Sequence, residues 1–417
     1  MFRPRFAWRS VAVLGVAALA LGACGDADDE PEDITEDEFS GTLNVGMILP
    51  TTGGLAPYGV GMIAAVEYAA SEINEGGGVW GSDVSLTEEN EGPAEEPEVV
   101  AAAASAVIAQ EVNAVIGAAS STSSLNIIES LYNQQVIQVS PSNTGPDFTD
   151  HEFGEYYFRT APSDIIQGSA LGDRIIADGH PTLGILAQQT AYGEGLAEQV
   201  AEVYEAGGGE VVYQEYYDLA QTEYSAEIAG LVDADPDAFV LVSYDESRQI
   251  IPSLIGAGFN PSDKQWYFVD GNRLDYSGDY DDGLLEGVLA SQPVGDGDPA
   301  DLVAAIEEHH GDSLPETAYV PEAYDAMILV ALGAVAANSD DADAIRDQMV
   351  NVTTGDNECS SFAECRELLE EGESIAYRGA TNTVWNDGGD PSEATIGIFE
   401  YADDNTFSQI EEVQGQM

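Results

Sequence analysis

The sequence predicts an α/β protein of two lobes, each built on a parallel sheet. Three observations predict it. Between residues 42 and 160, short apolar and β-branched runs alternate with stretches of helical spacing, and strict alternation of that kind implies a parallel sheet covered on both faces. After Phe158-Arg159-Thr160 the alternation starts afresh and runs to Asp270, so two units of similar rhythm follow one another, with a cleft expected between them. Finally, several apolar runs end abruptly in small hydroxyl and amide residues. In an open α/β sheet the loops at the carboxyl ends of strands are where ligands sit.

Residues 42–49 (TLNVGMIL) read as a first buried strand. Residues 50–61 (PTTGGLAPYGVG) read as a loop, and residues 62–74 as a helix stopped by Gly76-Gly77-Gly78. A strand at 84–87 and an Ala/Val-rich helix at 97–112 follow. Ala114-Val115-Ile116-Gly117 then gives way to Ser120, Ser121, Thr122, Ser123 and Ser124. After a helix at 125–135, the run Val136-Ile137-Gln138-Val139 gives way to Ser140, Ser142, Asn143 and Thr144. Two adjacent loops rich in hydroxyls and free backbone N–H groups suit a carboxylate. The same Ser and Thr residues also read as caps of the following helices.

The second unit is read in the same way. Helices are expected at 165–178, 196–206, 224–234 and 248–257, and strands at 183–186, 211–217, 238–242 and 266–269, the last ending at Asp270. Further helices fall at 301–309 and 321–337. The second of these is apolar over about 17 residues, but Pro321, Glu322 and Asp325 favour a packed helix over a membrane span. Residues 375–401 alternate as closing strands, with a turn at Asn386 to Asp390.

The amino terminus assigns the compartment. Arg3, Arg5 and Arg9 precede an uncharged run from Ser10 to Ala23, the layout of a signal peptide over residues 1–23. It ends in Leu21-Gly22-Ala23-Cys24, which resembles the lipobox of bacterial lipoproteins and implies lipidation of Cys24. Residues 24–40 are acidic and nearly free of large apolar groups, so they are expected to form a disordered tether. Removing residues 1–23 leaves 8 basic and 77 acidic side chains, a formal charge of −69. That balance excludes nucleic acid and anionic membrane surfaces as partners and points to a halophilic or salt-tolerant source. With 44% hydrophobic residues the chain is nonetheless a folded protein, not a disordered polyanion.

Cys359 and Cys365 remain, an even pair that outside the cytoplasm reads as a disulfide; no second Cys/His pair stands near to complete a zinc site. An enzyme finds little support. His151, His180, His309 and His310 stand in no motif with a Ser or Cys nucleophile, and neither a G-x-S-x-G elbow nor a phosphate-binding G-x-x-x-x-G-K-[ST] loop occurs. The acidic run from Asp275 to Glu286 lacks EF-hand spacing and reads as a solvated loop. No cofactor or metal is expected.

The segments MILPTTGGLAPYG, SSTSS, SPSNT, FRTAPSD, AYGEGLA and FVDG occur in one order, and together they resemble the branched-chain amino acid binding proteins of ATP-driven uptake systems. The resemblance runs from about residue 41 to the end. It implies the type 1 periplasmic-binding fold, two Rossmann-like lobes joined by three crossovers. Lobe 1 would comprise residues 41–160 plus about 291–346, and lobe 2 residues 161–290 plus about 347–417. It implies that Tyr58 lies over the ligand, that Ser121 with Thr122 beside it grips the ligand carboxylate, and that Ser142, Asn143 and Thr144 add donors. From the second lobe it implies Tyr192 and Tyr244 as aromatic walls and Asp270 as the partner of the ligand amine. Many relatives have Glu at the last position, one methylene longer. The expected protein is a monomeric, lipid-anchored capture protein for a small amino acid or related amide, handing it to an ABC permease with its ATPase subunits. The alternative is a ligand sensor of the same fold feeding a signalling partner.

Overall fold

The computed structural model describes residues 41–295 and 299–417; the expected signal peptide, Cys24 and the acidic tether lie outside the described residues. The first unit comprises β1 (Asn44–Leu49), α1 (Ala56–Glu75), β2 (Ser85–Asn90), α2 (Pro97–Ile108), β3 (Ala114–Gly117), α3 (Ser121–Asn133), β4 (Ile137–Ser140) and β5 (Tyr157–Arg159). Its strands form one all-parallel sheet in the order β2-β1-β3-β4-β5. β1, β3 and β4 are almost wholly buried, as a sheet covered on both faces requires.

The second unit continues with α4 (Asp164–Asp178), β6 (Thr182–Gln188), α5 (Ala191–Ala206), β7 (Glu210–Tyr217), α6 (Ser225–Ala234), β8 (Ala238–Val242), α7 (Ser247–Gly256), β9 (Gln265–Phe268) and β10 (Leu289–Val294). The chain then forms α8 (Ala300–His310), α9 (Val320–Ala337), α10 (Ala342–Met349), α11 (Asn351–Thr354), β11 (Asn357–Cys359), α12 (Phe362–Glu370), β12 (Ile375–Tyr377), β13 (Glu393–Tyr401) and β14 (Phe407–Gln416). The larger sheet runs β14-β13-β10-β9-β8-β6-β7; β13 is antiparallel to both of its neighbours, β10 and β14, and the other pairs are parallel. Its parallel part repeats the order of the first sheet, the first strand of each unit lying between the second and the third. Each sheet therefore has its switch point beside its first strand, and the carboxyl-end loops there form the crevice.

Several elements differ from the sequence expectation. α1, α3 and α5 each begin four to six residues before the apolar periodicity starts, so Tyr58 stands on the first turn of a helix and not in a loop. β14 was not anticipated. β10 is an inner strand of the larger sheet, paired with β9 and β13. Residues 351–377 pack with α11, α12 and the β11–β12 pair on α9 and α1, against the smaller sheet's helices. In that segment the structure bonds Cys359 to Cys365, whose Cα atoms are 5.3 Å apart.

Helix α9 is apolar and long enough to span a membrane, but 78% of it is buried inside the fold. It packs on α1, α10 and α12 and behind β3 and β4, which makes it the central helix of the first unit. His309 and His310 occupy the last turn of α8, before the left-handed Gly311, as a helix end favours.

The connections between the units lie side by side and are tied together. Arg159, at the end of β5 and fully buried, pairs with Asp390 at 2.5 Å. The same guanidinium donates to the carbonyls of Asn143 and Gly145, at 3.2 and 2.8 Å. Trp385 Nε1 donates to Arg159 O at 2.6 Å, and Thr160 Oγ1 to Glu322 O at 2.9 Å. Asp325 on α9 accepts from Tyr377 OH, Ala380 N, Thr381 N and Thr381 Oγ1, which fixes the third connection to the core helix.

Candidate functional site

Six loops at strand carboxyl ends converge on a small cavity. It is lined by Leu55, Tyr58 and Met62 from the start of α1, Ala119 and Ser121 from the start of α3, and Ser142 after β4. The second unit adds Tyr192 at the start of α5, Tyr244 after β8, and Asp270 and Gly271 after β9; Tyr319 comes from the residue preceding α9. The lining of the cavity, mostly apolar with a few convergent polar groups, has the form of a small-molecule site.

Asp270 anchors the polar side. Its Oδ1 accepts from Tyr192 OH at 2.8 Å and from Gln167 Nε2 at 2.9 Å, and its Oδ2 accepts from Tyr319 OH at 2.5 Å. Tyr58 OH donates to the Asp270 carbonyl at 3.1 Å, across from the other unit. Burial raises the Asp270 carboxyl above its ordinary range, and the hydrogen bonds from Tyr319, Tyr192 and Gln167 oppose that rise. The Gly271 backbone acts in the same sense. The Tyr192 and Tyr244 rings stack, 5.4 Å between centroids and 9° between planes. Gly271 lies against that stack: a Cβ there would fall 2.6 Å from Ser243 O and 2.9 Å from Tyr192 OH.

The opposite wall is the start of α3. Gly117 takes φ +124°, and a Cβ there would lie 2.0 Å from Ile48 O, so glycine is required where β3 leaves the sheet beside β1. Ser120 caps the helix by accepting from Ser123 N. The buried Glu91 accepts from Ala119 N at 2.7 Å and Ser120 N at 2.8 Å. Those two N–H groups are therefore not free for a ligand, contrary to the sequence expectation for this loop, and Ser121 and Thr122 carry the helix-start donors that follow them. Burial pushes the Glu91 carboxyl up to about 7 despite the two bonds. Ser121 Oγ accepts from Gly145 N at 3.2 Å, which leaves its hydroxyl proton to donate into the cavity.

Of the sequence-predicted residues, Tyr58, Ser121, Ser142, Tyr192, Tyr244 and Asp270 line the cavity. Thr122, Asn143 and Thr144 do not. Thr122 Oγ1 instead accepts from Ala191 N at 3.2 Å and so ties the start of α3 to the start of α5 across the cleft. Asn143 spends its amide on Ala118 O and Ala119 O and accepts from Tyr157 OH, knitting the two loops together. Thr144 is buried, and its carbonyl accepts from Asp164 N. Sequence reasoning missed Tyr319 and Gln167. Gln167 follows the FRTAPSD segment by three residues, the spacing that puts it one helical turn beyond Asp164. Tyr319 carries no local signal, because its left-handed backbone (φ 63°) and distant position are set by the fold.

Residues 42–363 match the family described as periplasmic binding protein. The leucine-, isoleucine-, valine-, threonine- and alanine-binding protein of Pseudomonas aeruginosa is 27% identical over 325 residues, which are 75% of this chain and 84% of that protein. Among solved structures, the branched-chain amino acid transporter substrate binding protein LivJ of Streptococcus pneumoniae, in complex with isoleucine, superposes with a TM-score of 0.70 at 18% identity, covering 90% of this chain and 100% of that one. An ABC transporter solute binding protein of R. palustris, in complex with 4-hydroxybenzoate, superposes with a TM-score of 0.72 at 15% identity, covering 90% and 98%. The match to the family over most of the chain, together with a doubly wound pair of sheets closing on one cavity, makes this chain a member of the periplasmic binding protein family, a solute-binding protein and not an enzyme.

Proposed function

We propose that the protein captures a small amino acid of the branched-chain type, or a related short amide, and delivers it to an ABC permease. The observation that carries this reading is the polarity of the cavity. A buried carboxylate ringed by phenols faces, across an apolar gap, a helix start that presents Ser121. A zwitterion meets both ends: its ammonium pairs with Asp270 and its carboxylate with Ser121 and the helix start, while Leu55, Met62 and the tyrosines surround its side chain. Ser142 contributes from the second loop. Thr122, Asn143 and Thr144 serve by holding the walls.

In this reading the two sheets with their helices are the two lobes, and the ligand favours the closed arrangement by binding it better than the open one. Thr122 to Ala191 and Tyr58 to Asp270 are contacts of the closed state. As a member of its family the protein works outside the cytoplasm. We further propose that Cys24 carries the lipid that tethers it to the membrane, that the Cys359–Cys365 pair is oxidised there, that the protein acts as a monomer, and that it works in high salt.

A thermal-shift screen in high salt with leucine, isoleucine, valine, threonine, alanine, urea, acetamide and 4-hydroxybenzoate tests the ligand class, because binding to the folded state raises its melting temperature. Calorimetry then tests the site. Asp270→Ala is expected to weaken amino acid binding by roughly 1–3 kcal/mol, the cost of losing one charged hydrogen-bond partner. Unchanged affinity would remove Asp270 from the role assigned to it.

A further inference from the structure

Asp164 opens α4, one residue after the N-cap Ser163, and is fully buried. Neither of its carboxylate oxygens makes a hydrogen bond among the described residues, although the Thr144 hydroxyl faces it. The charge of Asp270 acts on it, and Tyr192 and Tyr319, whose hydroxyls both donate to Asp270, feel Asp164 as well. One turn along the same helix, Gln167 donates to Asp270. Arg159 is the cation that acts on Asp164, but its nitrogens are already bound to Asp390, Asn143 O, Gly145 O and Thr149 Oγ1.

Two carboxylates thus share one buried region without a cation of their own. The start of α4 favours negative charge at Asp164, but a helix end carries only about half an elementary charge. A pair of this kind does not hold two full negative charges in a low-dielectric interior unless a cation joins it.

We infer that Asp164 is a specificity-determining residue, which together with Asp270 forms a paired acidic anchor selecting ligands that carry a protonated amine over bare carboxylic acids. The inference rests on the amino acid reading above and deepens it. The ligand brings the missing cation. An ammonium has three N–H groups to give, more than the already bonded Asp270 carboxylate takes alone. In the free protein the pair holds a proton in place of that cation, and binding the ammonium releases it to solvent. A bare acid such as 4-hydroxybenzoate offers only more negative charge. The groups facing Asp164 in this balance are Asp270 after β9, Arg159 on β5, Thr144, Tyr192 on α5 and Tyr319 before α9.

The test is calorimetry on the mature protein in high salt, in two buffers of different ionisation enthalpy. The probes are leucine, threonine and 4-methylpentanoate, the last being leucine without its amine. The wild type is expected to bind an amino acid with net proton release and to discriminate against 4-methylpentanoate. Asp164→Asn is expected to abolish the proton release, to weaken amino acid binding by about tenfold, and to narrow the gap to 4-methylpentanoate by a similar factor. Asp164→Glu, which keeps the carboxylate, is expected to retain proton release, and it carries the comparison if the Asn variant does not fold. Amino acid binding by the wild type without proton release, or discrimination unchanged in Asp164→Asn, overturns the pairing while leaving the amino acid reading intact. A wild type that binds neither amino acid, or binds 4-methylpentanoate as tightly, overturns both.

Discussion

At the level of single residues, Asp270 shows how much of the site depends on partners that sequence does not reveal. Its own position was legible, because an acidic residue directly after a buried strand stands at the carboxyl edge where ligands gather. So were Tyr192, Tyr58 and Ser121, each in a segment of the familiar series. The groups that tune the carboxylate came from farther away: Tyr319 from the entrance to α9 and Gln167 from α4. Conversely, Asn143 and Thr144 have the right chemistry for a ligand, but the fold buries both, and Asn143 spends its amide on the carbonyls of Ala118 and Ala119. Removing the Tyr319 hydroxyl should leave Asp270 harder to ionise, since one of the bonds to its charged form is lost. Tyr319→Phe is therefore expected to weaken amino acid binding by roughly 1–2 kcal/mol. The loss should be largest at the acid end of the binding range, because a carboxyl with a higher pKa is protonated sooner as pH falls. A flat pH profile matching the wild type in a titration from pH 5 to 8 would argue against it.

At the level of elements, the places where the pattern failed share one cause. α1, α3 and α5 open with APYGVG, STSS and AYGEG, which carry little apolar periodicity. Their first turns line the cavity with Tyr58, Ser121 and Tyr192, so the apolar repeat that marks a helix is weak where the helix meets the site. β14 escaped for a related reason: FSQIEEVQGQ is an edge strand exposed over most of its length, with too few buried side chains to show a strand's alternation. The connections near Arg159 behave as one structural element. Arg159 and Asp390 are both buried, and removing one partner strands the other's charge. Arg159→Leu is expected to destabilise the protein by about 3–5 kcal/mol. Urea denaturation in high salt checks this, and a loss below about 1 kcal/mol would place the pair among weak surface contacts.

At the level of the whole molecule, the excess of acid is managed in two ways. Most carboxylates stay at the surface, but several are wholly or partly buried with raised pKa values: Glu91 and the half-buried Glu316 to about 7 and Glu322 to about 8, each chiefly through desolvation. The unfolded chain ionises such groups near 4.5. Between that value and 7 to 8 the folded state holds more protons than the unfolded one, so stability is greatest at the acid side of this window and falls as pH rises through it. At about 1.4 kcal/mol per unit, Glu322 alone contributes several kcal/mol to that fall. The melting temperature in constant high salt should therefore drop from pH 5 to pH 8, and Glu322→Gln should flatten the slope. A melting temperature that rose over the interval would contradict the burial of these groups.

The scarcity of cations has a corollary for proteolysis. Beyond residue 23 the chain offers trypsin only eight target residues: Arg159, Arg174, Arg248, Lys264, Arg273, Arg346, Arg366 and Arg378. Two of them, Arg159 and Arg378, belong to the connections between the sheets, and Arg159 is wholly inaccessible in its bond to Asp390. A protease must wait for that junction to come apart before it can cut there. The rate at which the Arg159 bond is lost therefore clocks the parting of the two halves, and a ligand that holds them together should slow that clock in proportion to its occupancy.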